Sequence, residues 1–260
     1  MKKLFMPSLF IAHGAPNLAI EQNDYTAFLN TISQSLPKPE AIVMFSAHWE
    51  EQGQRVGASE RYDMIYDFYG FPMELYDVRY PAVGHAQLVR QIVNLLESSG
   101  IHAQTDANRG LDHGAWVVLR MMYPNADVPV VTMSVNPTLT NEQQYAIGKA
   151  ISGLRQEGVL IIGSGGTVHN LRKVKWGAKQ TEPWAKEFDE WLNDSITSWD
   201  IVRLFDYERL APHAHEAVPR NEHFIPLLLA MGAADDVRIG QRIYDGYEYG
   251  TLSYNCWQFQ

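Results

Sequence analysis

His13 closes an apolar run, Leu9-Phe10-Ile11-Ala12, and is followed at once by Gly14 and Pro16. His48 closes a second run, Ala41-Ile42-Val43-Met44-Phe45, within Ser46-Ala47-His48-Trp49. Apolar runs of this length that stop at Gly, Pro or Ser read as buried strands. Open α/β sheets bind ligands just beyond the carboxyl ends of their strands. Imidazoles at two strand exits are therefore expected to converge on one pocket, and converging neutral imidazoles suit a transition metal. The small neighbours Gly14 and Ala47 leave room for a ligand beside each ring.

Three further histidines have settings that can deliver them to a pocket. His169 follows Ile161-Ile162-Gly163-Ser164-Gly165-Gly166-Thr167-Val168. That glycine run can cradle a phosphate with its amides. It matches neither a P-loop nor a dinucleotide fingerprint, and Ser164 does not sit in a nucleophile elbow. Glycines that let the chain turn tightly and bring His169 to the pocket are the preferred reading. His113 lies in Gly110-Leu111-Asp112-His113-Gly114-Ala115-Trp116, where flanking glycines suggest close backbone approach and Asp112 is too near in sequence to be a useful partner. His223 precedes Phe224-Ile225-Pro226-Leu227-Leu228-Leu229-Ala230-Met231, a helix with Pro226 in its first turn, and Glu216 and Glu222 are carboxylates that can serve in its place. His85, His102, His213 and His215 fall in polar or loop contexts and read as surface residues. The lone cysteine, Cys256, reads as a buried structural thiol in a strand and leaves no disulfide and no cysteine-based zinc motif.

The elements that must carry these side chains alternate. Residues 128–135 and 159–163 are further apolar runs and read as central parallel strands covered on both faces. Between the runs, Leu88, Ile92, Leu95 and Leu96 recur at helical spacing before Gly100. Ile147, Ile151 and Leu154 do so before Gly158, and Trp184, Phe188, Trp191 and Leu192 follow Pro183. Residues 238–244 and 250–259, joined through Asp245-Gly246, read as an antiparallel edge hairpin. The prediction is an α/β fold, a three-layer α/β/α sandwich on a mixed, mostly parallel sheet, with residues 1–260 forming a single domain.

With 21 basic against 30 acidic residues the net charge is −9. That balance argues against nucleic acid and anionic membrane as partners. The start Met1-Lys2-Lys3-Leu4-Phe5-Met6 resembles that of a signal peptide, but Pro7 and His13 interrupt it, and no run of 18 apolar residues occurs. A cytoplasmic location is expected.

Taken in order, His13-Gly14-Ala15-Pro16, Ser46-Ala47-His48-Trp49, Asp112-His113-Gly114-Ala115-Trp116, Val168-His169-Asn170-Leu171 and Glu222-His223-Phe224-Ile225-Pro226-Leu227 resemble the DODA-type extradiol aromatic ring-opening dioxygenases of the LigB superfamily. Asp67-Phe68-Tyr69-Gly70-Phe71-Pro72 and Leu75-Tyr76 fit the same family, and the resemblance runs from about residue 8 to the C-terminus. It implies metal ligands at His13, His48 and His223, and an acid/base histidine at His169 that in some zinc-containing members also lies within reach of the metal as a fourth ligand. His113 would hold substrate or oxygen. The wider superfamily completes its ligand set with a carboxylate; here the matching position holds His223, with Glu222 beside it.

The implied reaction inserts O2 into the ring of a catechol such as DOPA, cleaving beside the hydroxyls to give a semialdehyde. The implied cofactor is one divalent metal, Fe(II) for ring cleavage or Zn(II). The implied partners are a small catechol and O2. Two other functions use the same residues: a zinc hydrolase, in which three histidines and a water make a catalytic site, and a protein that binds a metal or an aromatic ligand without turnover. Trp49, Trp116 and Tyr254 are candidates for an aromatic wall, with core packing the default for each. Residues 52–80 and 211–221 are expected to shape the pocket.

Overall fold

A computed structural model describes residues 5–260, so the signal-like character of residues 1–4 lies outside the described residues. In chain order the elements are β1 (Ser8–Ala12), α1 (Asp24–Ser35), β2 (Ala41–Glu50), β3 (Gln54–Gly57), α2 (Ala86–Ser98), β4 (Ala103–Asp106), α3 (His113–Met122), β5 (Val130–Val135), α4 (Asn141–Ala150) and β6 (Val159–Gly165). There follow α5 (Pro183–Thr197), the short α6 (Ile201–Phe205), α7 (Tyr207–Leu210) and α8 (Ala214–Ala217), then α9 (Ile225–Gly232), β7 (Gly240–Tyr244), β8 (Tyr247–Glu248), β9 (Leu252–Ser253) and β10 (Cys256–Phe259).

The main sheet has the order β4-β3-β5-β2-β6-β1-β10-β7. Its centre, β5-β2-β6-β1, is parallel throughout. In register, Ile42 lies beside Val130 on one side and Leu160 on the other. Strand β3 runs antiparallel to β5, and β10 antiparallel to β1 and β7. The sheet is therefore mixed and mostly parallel at its core, as its unbroken apolar runs require.

Because successive strand side chains point to opposite faces, the same runs build both cores. Leu9, Ile11, Ile42, Met44 and Ile162 pack with Leu29 of α1 and Val118 of α3. Val43, Phe45 and Ile161 pack on the other face with Ile92 of α2, Ile147 of α4 and Leu229 of α9, and Phe10 joins Phe188 of α5 and Leu228 of α9. Helices thus cover both faces, giving the three layers expected.

Local structure departs from expectation at four places. Strand β2 does not stop at Phe45 but runs on to Glu50, with an irregular register after Phe45 that carries His48 past the parallel core. Helix α4 ends at Ala150, and Leu154 belongs to a tighter 3-10 turn that Gly158 closes at φ +83°. The expected terminal hairpin pairs β7 with β10, but its connection carries a ribbon of its own, β8 with β9. His85 is not a free surface residue: it is half-buried and its Nδ1 caps α2 by accepting from Leu88 N at 3.1 Å. His102, His213 and His215 are exposed, as expected, and Cys256 is buried in β10. Among the described residues, no helix is long and apolar enough to cross a membrane.

Candidate metal centre and substrate pocket

Each of the three layers delivers an imidazole to the carboxyl end of the parallel strands. His13 leaves β1 directly, its amide donating to Gly165 O at 3.2 Å. His48 rides on the extension of β2, where Arg109 donates to its carbonyl at 3.2 Å. His113 is the first residue of α3, whose N-terminus Asp112 caps by accepting from Ala115 N. Asp112 does not touch the His113 ring, as its adjacency suggested; it accepts instead from Ser46 and Arg109. His223 sits in the turn that leads into α9, and His169 in the loop after β6, held by its amide donating to Ala217 O.

The rings form one cluster. Centroids of His48 and His113 are 4.0 Å apart, those of His13 and His48 4.8 Å, and those of His223 and His13 5.1 Å. His169 lies flat on His223, with centroids 3.6 Å apart and planes 9° from parallel. Coordinating atoms of His13, His48 and His113 lie within 4.8 Å of one another, and so do those of His169, Glu222 and His223. All five histidines singled out in the sequence are therefore brought together.

Four of the five rings have Nδ1 committed. His13 Nδ1 lies 3.0 Å from Ser164 Oγ. That hydroxyl gives its only proton to Gly114 O at 2.5 Å, so it must accept from His13 Nδ1–H. Two further rings share one carboxylate, Asp67: Oδ1 lies 2.9 Å from His113 Nδ1 and Oδ2 lies 3.2 Å from His48 Nδ1. Glu222 Oε1 stands 3.1 Å from His223 Nδ1. An Nδ1–H held by an outer acceptor fixes the tautomer and leaves Nε2 as a lone pair, the usual support of a metal-bound imidazole.

The lone pairs then face each other. Nε2 of His13 and of His48 are 3.1 Å apart, and Nε2 of His223 is buried with no hydrogen-bond partner among the described residues. Two nitrogens each roughly 2.0–2.1 Å from one ion lie about 3.0–3.4 Å apart at ordinary coordination angles, which is the separation seen. The donor set fits a single metal. Burial, reinforced by repulsion from neighbouring imidazoles, holds the pKa of His13 and His223 well below the ordinary value, lowers that of His113, and brings His169 down to about 4. These four rings are thus neutral at neutral pH, the state in which they can ligate or accept a proton.

A cavity of about 210 Å³ opens over the cluster. His13, His48, His113 and His169 line it, whereas His223 does not and is buried against His169. Its apolar wall includes Phe68, Phe71, Val168, Leu171, Leu252 and Tyr254. A slightly larger recess of about 280 Å³, beside Gln54 and Ile147, contains none of the five. Of the three expected wall residues only Tyr254 lines the pocket; Trp49 and Trp116 are buried elsewhere, Trp116 completely. Residues 52–80 shape the cavity through Phe68 and Phe71, while residues 211–221 supply none of its lining and act from behind, holding His169 and Asn170 through the carbonyls of Ala217 and Glu216.

The glycine run after β6 works differently from expectation. Gly163 and Gly165 belong to the strand itself, and neither has a positive φ. A Cβ on Gly163 would lie 2.1 Å from Pro226 O, and one on Gly165 2.1 Å from His223 O. They leave room for the His223 turn to press on the sheet, rather than turning the chain toward His169. Loop 165–169 is anchored instead by Thr167, which donates to the buried Asp189 at 2.7 Å beside donors from Tyr247 and Asn255. The sequence places Phe68 and Phe71 in the stretch expected to shape the pocket but gives Asp67 no individual role, although an acid among aromatics outside any strand is a legible signal.

Comparison with known proteins identifies the family. Residues 7–256 match the family model described as the catalytic LigB subunit of aromatic ring-opening dioxygenase. A 4,5-DOPA dioxygenase extradiol of Beta vulgaris is 40% identical over 256 residues, covering 97% of this chain and 96% of that protein. A protein of the same name from Escherichia coli (strain K12) is 38% identical, covering 97% and 94%. The crystal structure of an uncharacterized protein from Escherichia coli K12 superposes with a TM-score of 0.83 at 34% identity, covering 98% of this chain and 100% of that one. A match of this extent, over a fold that assembles the same five histidines, places the chain in the LigB family of aromatic ring-opening dioxygenases.

Proposed function

We propose that this chain opens the ring of a catechol beside its hydroxyls, as a single catalytic domain over residues 1–260. In this reading His13, His48 and His223 hold one divalent metal, and His169 and His113 act on the substrate. The observation that carries it is the pair of Nε2 atoms of His13 and His48, 3.1 Å apart with both Nδ1 positions engaged. Two lone pairs at that distance repel unless a cation lies between them. When bound as Fe(II), the metal supplies Lewis acidity toward the diol and the redox capacity that O2 chemistry needs; Zn(II) supplies only the first.

His223 is assigned as the third ligand because it packs against His13 and His169, with a buried Nε2 that has no partner among the described residues and a carboxylate on its Nδ1. A second reading rests on the short approach of His113 to His13 and His48, and makes His113 the third ligand instead. The protein's other steps follow from its own side chains. Phe68, Phe71 and Tyr254 clasp a flat ring and exclude water. Nε2 of His113, its Nδ1 tied to Asp67, accepts from a substrate hydroxyl at the cavity wall. With its pKa at about 4, His169 enters the cycle unprotonated, takes the second hydroxyl proton and returns it as the ring opens.

The test is to reconstitute metal-free protein anaerobically with Fe(II), add DOPA or a simpler catechol, and admit oxygen. Oxygen uptake with a yellow, ring-opened product is expected. Tight catechol binding without turnover, or zinc-sustained ester hydrolysis indifferent to oxygen, would overturn the reading.

A further inference from the structure

Asp67 lies on the long connection between β3 and α2, and belongs to no strand end. It is nevertheless the group on which the centre is hung. Its Oδ1 accepts from the His113 backbone amide and from His113 Nδ1, both at 2.9 Å. Its Oδ2 lies 3.2 Å from His48 Nδ1. We infer that Asp67 is a positioning residue: one carboxylate fixes the Nδ1–H tautomers of His48 and His113 together, and so aims two Nε2 lone pairs into the cavity. The inference rests on the proposed reading of the histidine cluster as a metal centre.

The chemistry requires a carboxylate. Three N–H groups on two residues point at it, so the partner must accept on both oxygens and donate on neither. An ionised Asp does this; an Asn offers one accepting oxygen and an NH2 that demands an acceptor. Burial alone would raise the Asp67 pKa, yet the N–H donors of His113 and His48 hold it well below the usual carboxylate range. The carboxylate also links the two halves of the site. Phe68 and Phe71, next along the same loop, form the cavity wall, and Phe68 stands edge-on to His113 with centroids 6.0 Å apart. The loop position that packs a substrate ring is therefore the position that holds a metal-side and a substrate-side imidazole in register.

Asp67→Asn tests this directly. Its NH2 must face one imidazole Nδ1, which forces that ring to carry its proton on Nε2 and removes a lone pair from the cavity. Zinc affinity of the metal-free protein, read by chelator competition, is expected to fall about 10–100-fold, the usual cost of losing such an outer partner. Correlation spectra of 15N-labelled imidazoles should show Nδ1 protonated in both His48 and His113 of the natural protein, and unprotonated in one of them in the variant. The Tm of the metal-free variant should stay within about 4 °C. Asp67→Glu, which keeps both acceptors, should restore the tautomers and part of the affinity.

Unchanged tautomers and zinc affinity in Asp67→Asn would overturn the inference. So would an affinity loss matched by a large fall in Tm of the metal-free protein, which marks a general structural role. Zinc binding and tautomers need no turnover. Failure of the natural Fe(II) protein to open any catechol would thus overturn the proposed reaction and leave the Asp67 result readable.

Discussion

The five imidazoles divide by what stands behind them. Acceptors on Nδ1 back His13, His48, His113 and His223, whereas His169 is anchored through its backbone and stacks on His223. A ring without a fixed tautomer can take a proton and release it, which suits acid/base work better than ligation. His169→Ala is therefore expected to retain zinc affinity within a few-fold while kcat for catechol cleavage falls about 10²–10⁴-fold, the range for a lost general acid/base. The ligand set is decided by a matched pair. His223→Ala should abolish stoichiometric metal binding, read by metal analysis after gel filtration, and His113→Ala should keep the metal and lose turnover. The reverse result assigns His113 as the ligand.

At the scale of elements, the site depends on how closely the turn before α9 can press against β6. The amide of Gly166 donates to His223 O at 2.9 Å, and Gly165 leaves no room for a Cβ beneath that carbonyl. Gly165→Ala is expected to push the His223 turn outward, costing about 1–3 kcal/mol of stability and weakening metal affinity with it. Gly163→Ala meets Pro226 O at the same distance, two residues farther from the centre. Its stability loss should be similar and its metal affinity closer to that of the natural protein. Equal metal affinities for the two variants would show that strand–turn spacing does not place His223. Gly14 is constrained differently: it takes φ +61°, and its missing Cβ would overlap Leu18 and Tyr254.

For the whole molecule, a cluster of buried neutral imidazoles sets the response to acid. Their folded pKa values are depressed, that of His169 to about 4, so below pH about 6.5 the unfolded chain binds protons that the native state refuses, and stability falls as pH falls. At one unit below the ordinary pKa His169, with its folded value at about 4, costs about 1.4 kcal/mol, and His13, His113 and His223 act in the same direction. Asp189 acts in the opposite sense: burial pushes its carboxyl up to about 6, so its share is present at low pH and is lost as pH rises through that value. Burial also raises the pKa of Glu248, and two carboxyls against four rings leave acid destabilisation in control. The Tm of the metal-free protein should drop by at least about 3 °C from pH 7.5 to 5.5. Saturating zinc should raise Tm most at neutral pH and progressively less as protons compete for the lone pairs. A Tm flat across this range would show that the rings are not held neutral.

The amino-acid sequence by itself determined the layers and the list of histidines. Both are local: alternate residues of an apolar run must enter opposite cores, and strand ends mark where side chains meet a ligand. It also carried the family, because His13, His48, His113, His169 and His223 keep their neighbours and their order. Tertiary structure alone decided what stands behind most of the rings. Their Nδ1 partners come from afar: Ser164 for His13, and Asp67 for His48 and His113. The glycines of β6 were misread for the same reason, since the carbonyls they accommodate belong to His223 and Pro226, about 60 residues farther along the chain. A tautomer and a close backbone approach are properties of pairs distant in sequence, and only the folded chain brings those pairs together.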